Sequence, residues 1–250
     1  MRKIFVVGIG PGNREQMTMQ AQEILRQCDV IVGYTVYIAL LQKAFPEDFF
    51  QNKELLATPM MQETNRCRLV FEKARENQSV ALICSGDAGV YGLAGLILEL
   101  SEQFPEVEIE IIPGTTAALT GAAVLGAPLI HDFALISLSD LMTPLSKIEN
   151  RIRHAAQGDF VIVLYNPSSK KRTDYLQKAC DWILEYASEN TVCGLVENIG
   201  REGEQYEICT LKECRDKQVN MFTTVFIGNS QTRKVGDAMV TPRGYRRDNA

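Results

Sequence analysis

Three short segments carry residue types suited to holding a ligand, and each stands at the end of an expected strand. Gly8-Ile9-Gly10-Pro11-Gly12 follows Ile4–Val7. Cys84-Ser85-Gly86-Asp87-Ala88-Gly89-Val90-Tyr91-Gly92 closes the run Ser79–Cys84, and Pro113-Gly114-Thr115-Thr116 follows Val107–Ile112. Glycine lets backbone approach a ligand closely, and dinucleotide sites use a strand that ends in such a turn. The first segment departs from the fingerprint G-x-G-x-x-G, because Gly12 comes one residue early and position 13 is Asn. Pro11 also removes a backbone N–H that would face a pyrophosphate. Asp29 stands near the spacing expected of a ribose-binding acid, a weak signal, and no G-K-S/T triplet supplies a phosphate-binding lysine. Phosphate binding is the least favoured reading. A rigid turn shaping another ligand, or a tight strand–helix connection, remains.

Asp87 is placed to accept hydrogen bonds from a ribose or an amine, or to cap the following helix. Thr115 and Thr116 open a small-residue helix, where free N–H groups favour an anion and a threonine serves equally as N-cap. Farther on, Tyr165-Asn166-Pro167-Ser168-Ser169 leads into Lys170-Lys171-Arg172 at the expected start of another helix. A solvated helix start is the ordinary explanation. Cations at a helix N-terminus oppose the macrodipole, however, which raises the case for an anionic partner. Polar groups recur at Glu197–Glu204, at Thr223-Thr224 and at Thr241-Pro242-Arg243-Gly244-Tyr245. His131 and Asp132 are adjacent, but a catalytic triad is defined by spatial geometry. His131 reads as a structural or locally hydrogen-bonded side chain.

The elements that must position these groups follow from periodicity. Strands are expected at Ile4–Val7, Asp29–Gly33, Ser79–Cys84, Val107–Ile112, Phe133–Leu138, Asp159–Tyr165, Thr191–Val196, Glu204–Thr210 and Met221–Ile227. Helices are expected at Met17–Cys28 (Thr18 as N-cap), Tyr34–Ala44, Thr64–Asn77, Leu93–Gln103, Lys147–Gln157 and Lys171–Ala187. The alternation predicts an α/β protein of parallel βαβ units, in which loops after the carboxyl ends of strands build the ligand site. A domain boundary is expected near residues 112 to 120, and the charged tail from Gly244 reads as loose.

Composition narrows the function classes. At 250 residues, 46% apolar and 23% charged, the chain can bury one large core or two smaller ones. A net charge of −5 argues against nucleic-acid binding. No apolar run reaches the roughly 18 residues needed to cross a bilayer, and Ile4–Val7 is too short for a signal-peptide core. Seven scattered cysteines, no C-x-x-C pair and two histidines give no metal site of usual spacing, and predict a cytoplasmic protein with free thiols, several of them buried.

Together the segments resemble the tetrapyrrole methylase family. V-V-G-I-G-P-G, S-G-D-x-x-V-Y-G at 85–92, P-G-T-T-A at 113–117, Y-N-P at 165–167 and a late T-T-V-F-I-G occur in that family's order and spacing. V-G-Y at 32–34, S-L-S-D-L-M-T-P at 137–144, E-N-I-G-R-E-G-E at 197–204 and T-P-R-G-Y at 241–245 are similar to its precorrin-3B C(17)-methyltransferase branch. The resemblance implies two α/β domains, 1–112 and 113–250, with an active site in the cleft between them, and a homodimer. It implies S-adenosylmethionine as cofactor, with Pro11 at the cleft floor and Ser85, Gly86, Asp87, Val90 and Tyr91 around its methionine part. Thr115 and Thr116 begin the second domain's first helix. Asn166 stands where the family often has methionine, and Val196, Glu197, Thr223 and Thr224 take the adenosine side. The substrate implied is precorrin-3B or cobalt-factor III, a polycarboxylate ring. Gly10, Lys170, Lys171, Arg172, Arg201 and Arg243 are its candidate contacts. The branch reaction also contracts the macrocycle, which needs proton movement, and Asp87, Ser139, Asp140, Glu197 and His131 are the candidates. A methyltransferase for C-11 or C-20, or a non-catalytic nucleotide- or tetrapyrrole-binding protein, are the alternatives.

Overall fold

The computed structural model describes residues 2–76, 78–169 and 172–245, which divide into two compact units at Ala117/Ala118. The first contains β1 (Lys3–Gly8), α1 (Met19–Gln27), β2 (Val30–Tyr34), α2 (Thr35–Ala44), β3 (Glu54–Thr58), α3 (Glu63–Arg75), β4 (Ser79–Cys84), α4 (Ala94–Ser101) and β5 (Glu108–Ile112). Its five strands run parallel in the order β3-β2-β4-β1-β5. Ile4, Val6, Val30, Val32, Val80 and Leu82 meet α3 and α4 on one face. Val7, Ile31, Ala81 and Ile83 meet α1 and α2 on the other. Burial on both faces explains why β1, β2 and β4 read as continuous apolar runs. Local chemistry sets the helix ends: the Thr18 side chain accepts from Ala21 N at 3.1 Å and caps α1, while Pro46 follows α2.

The second unit carries most of α5 (Ala117–Leu125), then β6 (Gly126–Ala127), β7 (Phe133–Ser137), α6 (Leu145–Gln157), β8 (Val161–Tyr165), α7 (Tyr175–Leu184), β9 (Val192–Glu197), β10 (Gln205–Thr210), α8 (Leu211–Arg215), β11 (Thr223–Ile227), β12 (Arg233–Val235) and β13 (Ala238–Val240). Its main sheet has the order β10-β9-β11-β8-β7, and β12-β13-β6 form a small second sheet. The core of the unit fills one face of the main sheet beneath α6, α7 and α8. On the other face the α5 residue Gly121 lies against Phe226 of β11.

Two expectations need correction. The main sheet of the second unit is mixed, because β11 runs antiparallel to both β8 and β9, and β10 returns from β9 as a hairpin. Within this sheet only β7 and β8 pair in parallel. Helix α7 starts at Tyr175, because Ser169 and Arg172 exchange backbone hydrogen bonds at 3.2 and 3.0 Å and hold the chain in a turn. Arg172 therefore precedes the helix, and Lys170 and Lys171 lie outside the described residues, as does most of the tail from Gly244. Strand β3, missed in the sequence, is an edge strand whose residues are only partly buried. All seven cysteines are free and buried. No helix among the described residues is long and apolar enough to cross a membrane.

Candidate functional site

In the first unit the loops after β1, β4 and β5 knot together at the carboxyl edge of the sheet. Ile9 N donates to Cys84 O at 2.9 Å, Gly10 N to Gly86 O at 3.0 Å and Gly86 N to Gly10 O at 2.7 Å. Gly10 and Gly86 both take left-handed backbone (φ 69° and 71°), which glycine adopts without strain. The approach is closer still at Gly114. A Cβ there would lie 2.2 Å from Gly86 O and 2.6 Å from Gly8 C, and one on Gly8 would lie 2.6 Å from Gly114 N. These glycines let three backbones touch each other, and Pro11 is buried beside them. The opening G-I-G-P-G is thus first a packing element.

Asp87 completes the knot. Its Oδ1 accepts from Gly89 N at 2.8 Å and Val90 N at 3.1 Å, and its Oδ2 accepts from Gly114 N at 2.9 Å. The carboxylate fixes its own loop and ties it to the loop after β5. Tyr91 follows in left-handed backbone (φ 54°) with its side chain exposed. Ser85, Gly86, Asp87, Val90, Thr115 and Thr116 all belong to this edge, and no lysine or arginine occurs in residues 8–13, 85–92 or 113–117. Burial pushes the thiol of Cys84, next to Ser85, up to about 11, so it stays protonated at neutral pH.

The second unit distributes its candidates over strand ends. The Tyr165 hydroxyl, at the end of β8, accepts from Ala118 N at 2.6 Å and so satisfies an orphan donor of α5. Asn166 follows in left-handed backbone (φ 55°), a conformation that Asn tolerates, and its amide donates to Ser137 Oγ at 2.9 Å. Glu197 pairs with Thr223, and Val196 with Thr224, across β9 and β11. Side chains alternate along strands, so the two pairs face opposite sides of the sheet and cannot line one surface. Glu197 Oε1 accepts from Asn220 Nδ2 at 2.6 Å and its Oε2 from Gln205 Nε2 at 2.9 Å. Thr223, Thr224 and Val196 are buried.

Arg172, Ser139, Asp140 and Tyr175 form one network. Arg172 Nη1 lies 3.0 Å from both Ser139 Oγ and Asp140 Oδ1, and the Tyr175 hydroxyl donates to Asp140 Oδ2 at 2.7 Å. Hydrogen bonding from Tyr175 first, and from Arg172 second, holds the Asp140 carboxyl below its usual range, while Asp140 raises the Tyr175 phenol. A depressed carboxyl contributes stability that is present above its unfolded pKa and lost as pH falls through its folded pKa. Tyr175→Phe should therefore move the Asp140 titration upward toward the ordinary carboxylate value, read by NMR of the labelled side chain. An unmoved titration would show that Arg172 alone sets it. Sequence reasoning missed Tyr175, because it stands inside the stretch expected to be helical and nothing local marks it.

The remaining candidates are scattered. His131 precedes β7 whereas Ser139 and Asp140 follow it, so the strand separates them. Arg201 lies over the Phe222 ring at 5.5 Å, and the exposed Arg243 reaches Ile130 O at 3.4 Å.

Residues 3–215 match the family model of the tetrapyrrole (corrin/porphyrin) methylases. The chain belongs to that family. It is 46% identical over 243 residues to the probable cobalt-factor III C(17)-methyltransferase of Salmonella typhimurium, covering 97% of this chain and 99% of that one. It is 34% identical over 251 residues to the precorrin-3B C(17)-methyltransferase of a Sinorhizobium species, covering 97% and 96%. The solved structure of the methyltransferase CobJ aligns with a TM-score of 0.87 at 34% identity, over 96% of this methylase and 99% of CobJ. The methylase spans about half of the longer cobalt-factor III methyltransferase of Priestia megaterium (45% of its length, at 41% identity).

Proposed function

We propose that this methylase transfers the methyl group of S-adenosylmethionine to C-17, on ring D of cobalt-factor III, with contraction of the macrocycle, in cobalamin biosynthesis. The observation that carries the reading is the near full-length match to a cobalt-factor III enzyme at 46% identity, against 34% for the precorrin-3B enzyme. The cobalt belongs to the substrate.

The first unit's edge fits a sulfonium cofactor. The segments 8–13, 85–92 and 113–117 offer backbone groups, the hydroxyls of Thr115 and Thr116, the exposed Tyr91 and the Asp87 carboxylate, and they contain no lysine or arginine to neutralise a phosphate. S-adenosylmethionine, when bound, supplies an electrophilic methyl group. For in-line displacement the protein's task is then alignment, and a preformed glycine knot gives rigidity at the place where alignment matters. Ser85, Gly86, Asp87, Val90, Tyr91, Thr115 and Thr116 are the residues proposed to hold the cofactor there. In the second unit Asn166, Val196 and Thr224 are the proposed contacts. Glu197 has both oxygens occupied by amide donors, and it acts by holding Asn220 and Gln205. Ser139, Asp140 and Tyr175 are the protic groups proposed for ring contraction. Arg172, Arg201 and Arg243 are proposed to meet the substrate carboxylates, for which arginine suits bidentate pairing. A cytoplasmic homodimer completes the reading, and light scattering reads its mass.

The test is incubation of the purified protein with methyl-labelled S-adenosylmethionine and either cobalt-factor III or precorrin-3B, under anaerobic conditions. Label at C-17 of a contracted ring, faster from the cobalt-bearing substrate, is the expected result. Label at C-11 or C-20 in the product NMR, or no transfer to either ring, would overturn it.

A further inference from the structure

Arg66 is the only charged side chain among the buried described residues, with 3% of its surface exposed. It stands in the first turns of α3, beneath the loop that follows β3. Its Nε donates to Thr58 Oγ1 at 2.6 Å, one Nη donates to Pro59 O at 2.9 Å, and its guanidinium lies 6.0 Å from the Tyr34 ring centre. Every one of these partners is neutral. No carboxylate among the described residues lies within ion-pair distance; the nearby Glu63 side chain accepts from Met61 N instead. A buried cation without a counter-charge is costly, and proteins keep such charges paired. Five donors with two acceptors leave capacity for an anion.

The position of Arg66 suggests which anion. Thr58 and Tyr34 end β3 and β2 at the same carboxyl edge that carries the glycine knot. In the order β3-β2-β4-β1-β5 the knot lies over β4, β1 and β5, while Arg66 lies over β3 and β2. Strands are spaced about 4.8 Å apart, so β3 is about 14 Å from β1. A ligand held at the knot reaches Arg66 only if it is large. Met60 and Met61 are exposed in the loop over Arg66, and Met61 is in left-handed backbone (φ 67°). An apolar surface beside a buried, unpaired guanidinium suits a broad apolar ring with carboxylates on its rim.

We infer that Arg66 is a subsite for one peripheral carboxylate of the tetrapyrrole, with Met60 and Met61 against the ring. This rests on the proposed function, and it adds a specificity residue outside the arginines at 172, 201 and 243. The carboxylate of the cofactor's methionine part is the other source of the same chemistry, and the two sources separate experimentally.

The experiment compares wild type, Arg66→Met and Arg66→Lys in binding of uroporphyrin III, an octacarboxylate tetrapyrrole, by fluorescence and of S-adenosylhomocysteine by calorimetry, below the lowest melting temperature. Arg66→Met should weaken uroporphyrin III binding about tenfold or more, the scale of one lost charge-assisted pair, and leave S-adenosylhomocysteine affinity within about twofold. Arg66→Lys should be intermediate, since it keeps the charge and loses the planar fork. The melting temperature of ligand-free Arg66→Met should not fall, because an unpaired buried charge has been removed. Unchanged uroporphyrin III affinity with a lowered melting temperature would make Arg66 a brace for the β3 loop and overturn the inference. Selective loss of S-adenosylhomocysteine binding would assign the guanidinium to the cofactor and overturn it equally. A wild type that methylates neither tetrapyrrole would instead reject the functional reading itself.

Discussion

Gly114→Ala is expected to abolish binding of S-adenosylhomocysteine and to lower the melting temperature by roughly 6–12 °C, at 2–4 °C per kcal/mol for a loss of about 3 kcal/mol. The added methyl would sit 2.2 Å from Gly86 O and 2.6 Å from Gly8 C and O. All three are backbone atoms, so no rotamer change relieves the clash. The strain must move a loop, and the atom nearest the methyl, Gly86 O, belongs to the loop that carries Asp87. Displacing it breaks the Gly10–Gly86 bridge and takes Asp87 away from Gly114 N. Stability and cofactor affinity should therefore fall together. Gly95, on α4, is the control: a Cβ there meets nothing within 4 Å, and Gly95→Ala should stabilise by up to about 1 kcal/mol through helix propensity. Calorimetry and thermal melts of both variants decide the matter. Wild-type affinity in Gly114→Ala would show that the knot can open without consequence, and that the cofactor is held elsewhere.

The edge that carries this knot was legible in the sequence because its determinants are local. Ile4–Val7 and Val80–Cys84 are apolar runs that lead into glycine-bearing turns, and strands buried on both faces must look that way. What the glycines do was not legible. Gly8, Gly86 and Gly114 are far apart in the chain, and their mutual approach appears only once β4, β1 and β5 are placed side by side. The same limit explains the mixed second sheet. Thr223–Ile227 announces a central strand by its β-branched and aromatic residues, and it is fully buried, but strand direction is not a property of its side chains. Arg172 was legible as a cation and illegible as a partner. Its ion pair with Asp140, 32 residues away, is a tertiary contact, and it leaves Arg172 before α7 instead of at its start. Arg66 failed for a simpler reason, since a charge spaced among polar residues on a helix reads as a solvated face.

Asp87 is the second position where a large effect is expected, and it separates holding from proton transfer. Asp87→Asn preserves shape and one acceptor oxygen. Whichever way the amide turns, its N–H2 then faces either Gly114 N–H or the pair Gly89 N–H and Val90 N–H, and one side of the clamp loses its acceptor. The cost is about 2 kcal/mol of stability for a partly buried donor left unmet. S-adenosylhomocysteine affinity should drop at least about tenfold, an estimate of 1.4 kcal/mol of the clamp's energy lost from the bound state. If Asp87 instead moved a proton in ring contraction, the variant would bind S-adenosylhomocysteine with wild-type affinity. It would fail only in turnover, and the pH profile of the residual rate would lose one limb. The geometry favours the first outcome. A carboxylate whose oxygens accept three backbone N–H bonds has most of its acceptor capacity directed into the loops, so removing an acceptor loosens the clamp before it touches any chemistry. The aspartate of S-G-D thus fastens the glycine knot, and Asp140, whose partners are the side chains of Arg172 and Tyr175, stays among the groups proposed for proton movement.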